Sequence, residues 1–161
     1  MQAVLAYCDG LPLDRFEAGG VLLPEGPATD RMFILVSGAI EVLRGEIQVA
    51  QVDQPGAIFG EMSALLSGAH TATVKAMAPV VAYRIDNAAS LLRSQNEITF
   101  HVAKILAQRL MDATTYLADF KRQFAGRSDH FALVDEVLDT LVQRQRPAVS
   151  AGSALKNDPR L

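Results

Sequence analysis

From Leu13 to about Tyr83, glycine, proline or aspartate breaks the chain so often that no apolar run lasts more than a few residues. The interruptions are Gly19-Gly20, Pro24-Glu25-Gly26-Pro27, Ser37-Gly38, Arg44-Gly45-Glu46, Gln54-Pro55-Gly56, Gly68 and Pro79. Turn signals spaced by roughly 8–12 residues leave room for short strands and suit an antiparallel sandwich or barrel. Within the region, Met32–Val36 reads as a strand of continuously buried type. Ala39–Leu43 and Ile47–Val52 read as a tight hairpin about Arg44-Gly45-Glu46, and Thr71–Ala76 and Val80–Ile85 as two more strands. Ahead of it, Met1–Leu11 carries Val4, Leu5 and Leu11 at roughly helical spacing and closes at Gly10 and Pro12, which predicts a short N-terminal helix.

After Ile85 the period changes. Ala88–Arg93 reads as a short helix, and Glu97 to about Phe124 as a long one without internal glycine or proline, closed by Gly126. Leu106, Leu110, Ala113, Leu117, Phe120 and Phe124 recur at alternating steps of four and three, a heptad seam, while Ile98, Val102 and Ile105 form a second stripe. Two stripes imply two partners, the β region and a second helix of a homodimer; burial of both faces within one chain is the alternative. His130–Gln145 reads as a third helix with Phe131, Val134, Val137, Leu138 and Leu141 on one face, and the small, polar tail from Pro147 is expected to be mobile. The expected division is therefore 1–125 for the main domain and 126–161 for an extra helix and tail. The fold class is α+β, mainly β.

Composition excludes several functions. A net charge of −3 opposes a dedicated nucleic-acid binder, for which a strongly basic chain is expected. One cysteine, Cys8, rules out an intrachain disulfide framework or a multi-thiolate metal site, and with no basic neighbour it reads as a small apolar residue rather than a nucleophile. No apolar stretch approaches the roughly 18 residues of a membrane span, and MQAVLAYCDG lacks the basic start of a signal peptide. A cytoplasmic chain is expected. His70, His101 and His130 are far apart and no H-x-H occurs, so no metal site is expected; His101 is placed on the solvated or dimer-facing side of its helix. Ser63 sits in G-E-M-S, not in a G-x-S-x-G elbow, and no catalytic role is assigned.

The stretch that carries chemistry is Phe59-Gly60-Glu61-Met62-Ser63-Ala64-Leu65-Leu66-Ser67-Gly68-Ala69-His70-Thr71-Ala72-Thr73-Val74. It reads as glycine turn, one short helix, glycine stop and returning strand. Met62, Leu65 and Leu66 stand at i, i+3 and i+4 and are expected to anchor the helix on the barrel. The first turn, about Glu61–Ala64, then offers free N–H groups to an anion. Gly60 permits close approach of a bound molecule. Glu61 can accept hydrogen bonds from hydroxyls, and His70 and Thr71 are expected to face the same cavity. A helix start, a carboxylate and a hydroxyl converging in a β domain suit a phosphorylated sugar.

FGEMSALLSGAHTATV resembles the phosphate-binding cassette of the cyclic nucleotide-binding domain family, of the catabolite-activator and kinase-regulatory-subunit type. Met32–Val42 is similar to that family's central strand pair. The resemblance covers about residues 13–125. It implies an antiparallel β-roll or jelly-roll with an N-terminal helix, a short cassette helix and a long C-terminal dimerisation helix. It also implies a ligand site made of Phe59, Gly60, Glu61, Met62, Ser63, Ala64, His70, Thr71 and Ala72. In that reading Glu61 holds the ribose 2′-hydroxyl, Gly60 and the amides of Ser63 and Ala64 cradle the cyclic phosphate, and Thr71 lies beside it. Thr114 or Thr115 offers a hydroxyl to the purine, and the candidate ligand is cAMP or cGMP with no other cofactor.

Two departures qualify the resemblance. The family usually places arginine where this chain has His70, and histidine offers a single donor that is mostly neutral at pH 7. Three readings follow: weak nucleotide binding that tightens at low pH, preference for another ligand, or a degenerate site in a dimerisation or protein-interaction module. Bacterial activators of this type continue into a winged helix-turn-helix, whereas one helix and a tail follow here, so no DNA reading is expected.

Overall fold

Met32-Phe33-Ile34-Leu35 can be apolar without a break because both faces of that strand are buried. Met32 and Ile34 join a cluster with Val4, Cys8, Ile58, Ala64, Ile85, Ala88, Leu92, Ile98 and Val102 on the helical side. Phe33 and Leu35 join Leu22, Leu23, Ile40, Phe59, Val74, Ala76, Val80 and Ala82 in a second cluster. Ile58 and Phe59 divide between the clusters in the same way. Alternation of side chains along a strand turns one apolar run into two cores, each large aliphatic or aromatic side chain contributing about 1.5–3 kcal/mol.

The computed structural model describes residues 2–123 and 131–143. Eight strands occur: β1 (Leu13–Phe16), β2 (Val21–Leu23), β3 (Met32–Ser37), β4 (Ile40–Arg44), β5 (Ile47–Val52), β6 (Ile58–Phe59), β7 (Thr73–Ala76) and β8 (Val80–Ile85). They form two four-stranded sheets, ordered β1-β8-β3-β6 and β2-β7-β4-β5, with every pairing antiparallel. The antiparallel architecture is the one the turn spacing suits, and it is the β-roll that the family resemblance implies. The β4–β5 hairpin turns at Gly45 (φ +58°), and Val49 is the extra residue of a bulge, because Val42 pairs with Ala50 and Leu43 with Gln48. Gly38, between β3 and β4, has φ +103°, and a Cβ there would lie 2.3 Å from the Pro79 carbonyl oxygen. No other residue fits that crossing.

The helices are α1 (Glu61–Leu66), α2 (Ala88–Ser94), α3 (Asn96–Gln123) and α4 (Phe131–Gln143). The N-terminal segment is a 3₁₀ helix, Gln2–Tyr7, and not the longer helix expected over Met1–Leu11. Its tight winding carries the Cys8 N–H to the Leu5 carbonyl and the Cys8 thiol to the Val4 carbonyl, and it buries Val4 and Cys8 together.

The chain divides into two compact units, Met1–Ala107 and Gln108–Leu161, with the boundary inside α3. In the first unit Ile98 and Val102 are buried and Ile105 packs against the helical-side core, as their stripe predicts. Leu106, assigned to the heptad seam, packs on that same core. His101 likewise departs from its expected solvated or dimer-facing position: its Nε2 lies 3.1 Å from the Gly56 carbonyl, tying α3 to the turn before β6. In the second unit Leu110 and Ala113 are exposed, and Leu117 and Phe120 half-buried. Phe124, Gly126, His130 and the tail from Pro147 lie outside the described residues. Among those that are described, no helix is long and apolar enough to cross a membrane.

Burial and the neighbouring Asp9 push the Cys8 thiol up to about 11, so it is protonated and enclosed at neutral pH. Ellman's reagent at pH 8 should leave Cys8 unmodified in the native protein and titrate one thiol after denaturation. Rapid reaction in native buffer would mean that the N-terminal segment does not pack as described.

Candidate functional site

The segment after β6 is shaped by backbone fit before any side chain acts. Gly60 has φ +91°, and a Cβ on it would stand 2.5 Å from the Arg31 carbonyl oxygen and 2.9 Å from Leu23 Cδ1. The space beside Gly60 is thus filled by the protein's own β2 and the start of β3, not held open for a ligand as expected. α1 follows at once and ends at Ser67, which adopts φ +52° and returns its N–H to the Ser63 carbonyl. The Ser63 hydroxyl donates to the Gly68 carbonyl at 2.5 Å, so helix and stop are stapled together.

The face that α1 buries is the reverse of the expected one. Glu61, Ser63 and Ala64 are buried, whereas Met62, Leu65 and Leu66 are 45%, 48% and 74% exposed. Six residues bury too little apolar surface to orient a helix. The close approach at Gly60 and the Ser63 bonds set its rotation, and only the methyl of Ala64 enters the core. The Ala64 N–H is already donated to the Gly60 carbonyl at 3.2 Å, so of the expected cradle Ser63, and not Ala64, keeps a first-turn amide. Glu61, 3% exposed, puts a carboxylate into this buried face.

His70 and Thr71 part company: His70 is 5% exposed and Thr71 is at the surface, because both precede β7, which starts at Thr73. The loop between β2 and β3 holds His70. Its N–H donates to the Pro27 carbonyl (3.2 Å), its carbonyl accepts from the Gly26 N–H (2.9 Å), and its Nε2 shares a 2.7 Å hydrogen bond with Thr29 Oγ1. The Ser63 hydroxyl also lies 3.4 Å from the Thr29 carbonyl. Glu25 of the same loop donates its N–H to Thr73 Oγ1 and accepts the Gly45 N–H at 2.7 Å. Asp30 caps α2 from afar, its carbonyl taking the Ala88 N–H and its carboxylate the Ala89 N–H. Sequence reasoning treated Pro24–Pro27 as turn punctuation, assigned nothing to Ala28–Asp30, and missed the segment as a wall of the site. Its partners are up to 59 residues away, and no local pattern announces them.

Burial holds the His70 imidazole below its ordinary histidine value, so the ring is neutral at pH 7. Thr114 and Thr115 fall in the second unit; Thr115 is exposed, and the Thr114 hydroxyl bonds back to the Leu110 and Met111 carbonyls of its own helix. Among the described residues no group of three His, Cys, Asp or Glu could hold a metal ion.

Comparison with known proteins agrees with this architecture. Residues 13–92 match the cyclic nucleotide-binding domain and belong to that family. A CRP-like cAMP-activated global transcriptional regulator of Mycobacterium tuberculosis is 30% identical over 114 residues, covering 67% of this chain and 50% of the regulator. The chain thus spans about half the length of that relative. Thermus thermophilus catabolite activator protein superposes with a TM-score of 0.59 at 21% identity, over 88% of this chain and 83% of that one. The N-terminal domain of a transcriptional regulator from Streptomyces coelicolor A3(2) gives 0.50 at 24% identity, over 69% and 82%.

Two outcomes follow from the site. Gly60→Ala should destabilise the domain by roughly 2 kcal/mol or more, combining left-handed backbone strain with the Arg31 clash; chemical denaturation that shows less than ~0.5 kcal/mol would remove the close approach. For His70, a folded-state value below the unfolded one means that the unfolded chain takes up the proton first. Stability is therefore lost as pH falls from about 6.5 toward the lower folded value. The melting temperature should drop more between pH 7 and pH 5 in the wild type than in His70→Gln, and parallel curves would contradict a buried neutral ring.

Proposed function

We propose that this chain is a cytoplasmic regulatory domain that senses cAMP, cGMP or a related ribose-bearing ligand at the cassette running from Phe59 to Ala72. Helix packing would change with occupancy. The observation that carries the reading is a buried carboxylate, Glu61, at the start of α1 in a segment that matches the cyclic nucleotide-binding domain. A carboxylate in that position accepts hydrogen bonds from sugar hydroxyls, and a buried one does so with little competition from water. The Ser63 amide at the first turn serves a phosphate oxygen, with His70 and Thr71 on the approach. The mycobacterial relative is cAMP-activated by name, which supports a ligand of this class.

The path from site to output runs through the β2–β3 loop. Thr29 touches His70 and the next residue, Asp30, caps α2, so a shift of His70 is transmitted to a helix start. The exposed Leu110 and Ala113, with Leu117 and Phe120, suit a homodimer seam in the second unit. A second reading keeps the seam and drops the ligand: His70 already spends its Nε2 on Thr29, as expected of a degenerate site in a protein-interaction module.

Calorimetric titration separates the two. Wild-type protein should bind cAMP or cGMP weakly. His70→Arg should tighten that binding by about ten- to a hundredfold, the range of one hydrogen bond to a charged group. Silence to millimolar nucleotide in both proteins would leave the interaction module standing. Sedimentation equilibrium of Leu117→Glu should show monomer where the wild type is dimeric; a wild type that is itself monomeric would remove the seam from both readings.

A further inference from the structure

A cavity of about 360 Å³ opens outside the cassette, where the turn into β1, the end of β8 and α2 meet. That volume lies within the range of small-molecule sites. Its lining residues all fall in the first compact unit, and none belongs to Phe59–Ala72 or to the β2–β3 loop. Leu11, Pro12, Ile85 and Leu91 form the apolar part of the wall. The fold fixes them: Ile85 is a member of the helical-side core, Leu11 and Leu91 pack against it, and the Pro12 carbonyl accepts the Arg84 N–H at 2.8 Å.

The charges in the wall cancel. Arg84 lies 2.9 Å from Asp14 and 3.0 Å from Asp86, and Arg31 reaches the other oxygen of Asp86 at 3.0 Å. Two guanidinium groups and two carboxylates thus form one chain with no net charge. An ionic ligand would have to break one of these charge-assisted bonds to gain its own, whereas a neutral one would not. The uncommitted polar groups are neutral as well. Among the described residues the side chains of Asn87, Ser90 and Gln95 make no hydrogen bond. Asn87 holds the N-cap position of α2, where an asparagine ordinarily takes a first-turn N–H. Here the Asp30 carboxylate takes the Ala89 N–H instead, and the Asn87 carboxamide is left over. A carboxamide presents a donor and an acceptor in one plane, and its complement is another carboxamide or a heterocycle edge of the same pattern.

We infer that this cavity is a second ligand site, one that takes a small uncharged molecule with an apolar body and a carboxamide-type edge. The body lies against Leu11, Pro12 and Leu91, and the edge pairs with Asn87 and Gln95. The site shares no residue with the cassette, so the inference is independent of what the cassette binds.

Benzamide is a minimal probe with both parts. Benzoate and benzamidine keep its shape and carry a negative and a positive charge. The test is a titration of the ¹⁵N-labelled full chain with each at pH 7.5, followed by NMR. Benzamide should move the side-chain amide signals of Asn87 and Gln95 and the backbone signals of Ser90 and Leu91, saturating in the millimolar range. Both charged analogues should bind there at least about fivefold more weakly, and Asn87→Ala and Gln95→Ala should each weaken benzamide by about two- to tenfold, the range of one neutral hydrogen bond. Ser90→Phe, which fills the cavity from an exposed helix position, should abolish the shifts while the signals of the β-sheets stay in place. No movement of these signals at tens of millimolar benzamide would overturn the inference. Equal binding of benzoate or benzamidine would overturn it too, as would binding indifferent to both alanine substitutions.

Discussion

Burial of β3 on both faces is the constraint from which the rest of the structure follows. A strand with Met32 and Ile34 on one side and Phe33 and Leu35 on the other needs a sheet against one face and helices against the other. The second sheet, through Leu22, Ile40, Val74 and Ala76, supplies one cover; the N-terminal 3₁₀ turn, α2 and the first half of α3 supply the other. Replacing one of these side chains by alanine would cost on the order of 2–5 kcal/mol, a large share of what a domain of this size has to spare.

The cassette hangs on this framework by short contacts rather than by apolar burial. Gly60 lies against the start of β3, Ser63 ties the end of α1, and the β2–β3 loop closes over His70 with two backbone bonds and one side-chain bond. Six helical residues with their apolar side chains outward would not hold their position alone. The arrangement therefore leaves Met62, Leu65 and Leu66 at the surface and turns polar groups inward, the reverse of an ordinary amphipathic helix. An inward carboxylate and an inward neutral imidazole are costly in a core and reasonable in a recognition site.

The loop from Pro24 to Asp30 joins the parts. Glu25 reaches the β4–β5 turn, Thr29 reaches His70, and Asp30 reaches the N-terminus of α2. Residues that are near neighbours in sequence thus tie together three separate elements.

The sequence made β3, β4, β5, β7, β8, the hairpin at Gly45 and the order of the helices legible, because turn residues and apolar period are local properties, and the cassette legible by resemblance. It also showed the stripe of Ile98, Val102 and Ile105, which packs where its spacing says. It did not show that Leu106 joins the same core, that His101 bonds the Gly56 carbonyl, or that α1 turns Glu61 inward and Met62 outward. In each case helical spacing names a face but not its partner. Nor could it show the wall formed by Thr29 and His70, whose bond spans 41 positions along the chain. Local chemistry decides which elements form. Which side of each meets a neighbour depends on close approaches between distant segments, such as Gly60 against Arg31, and those exist only once the sheets have closed.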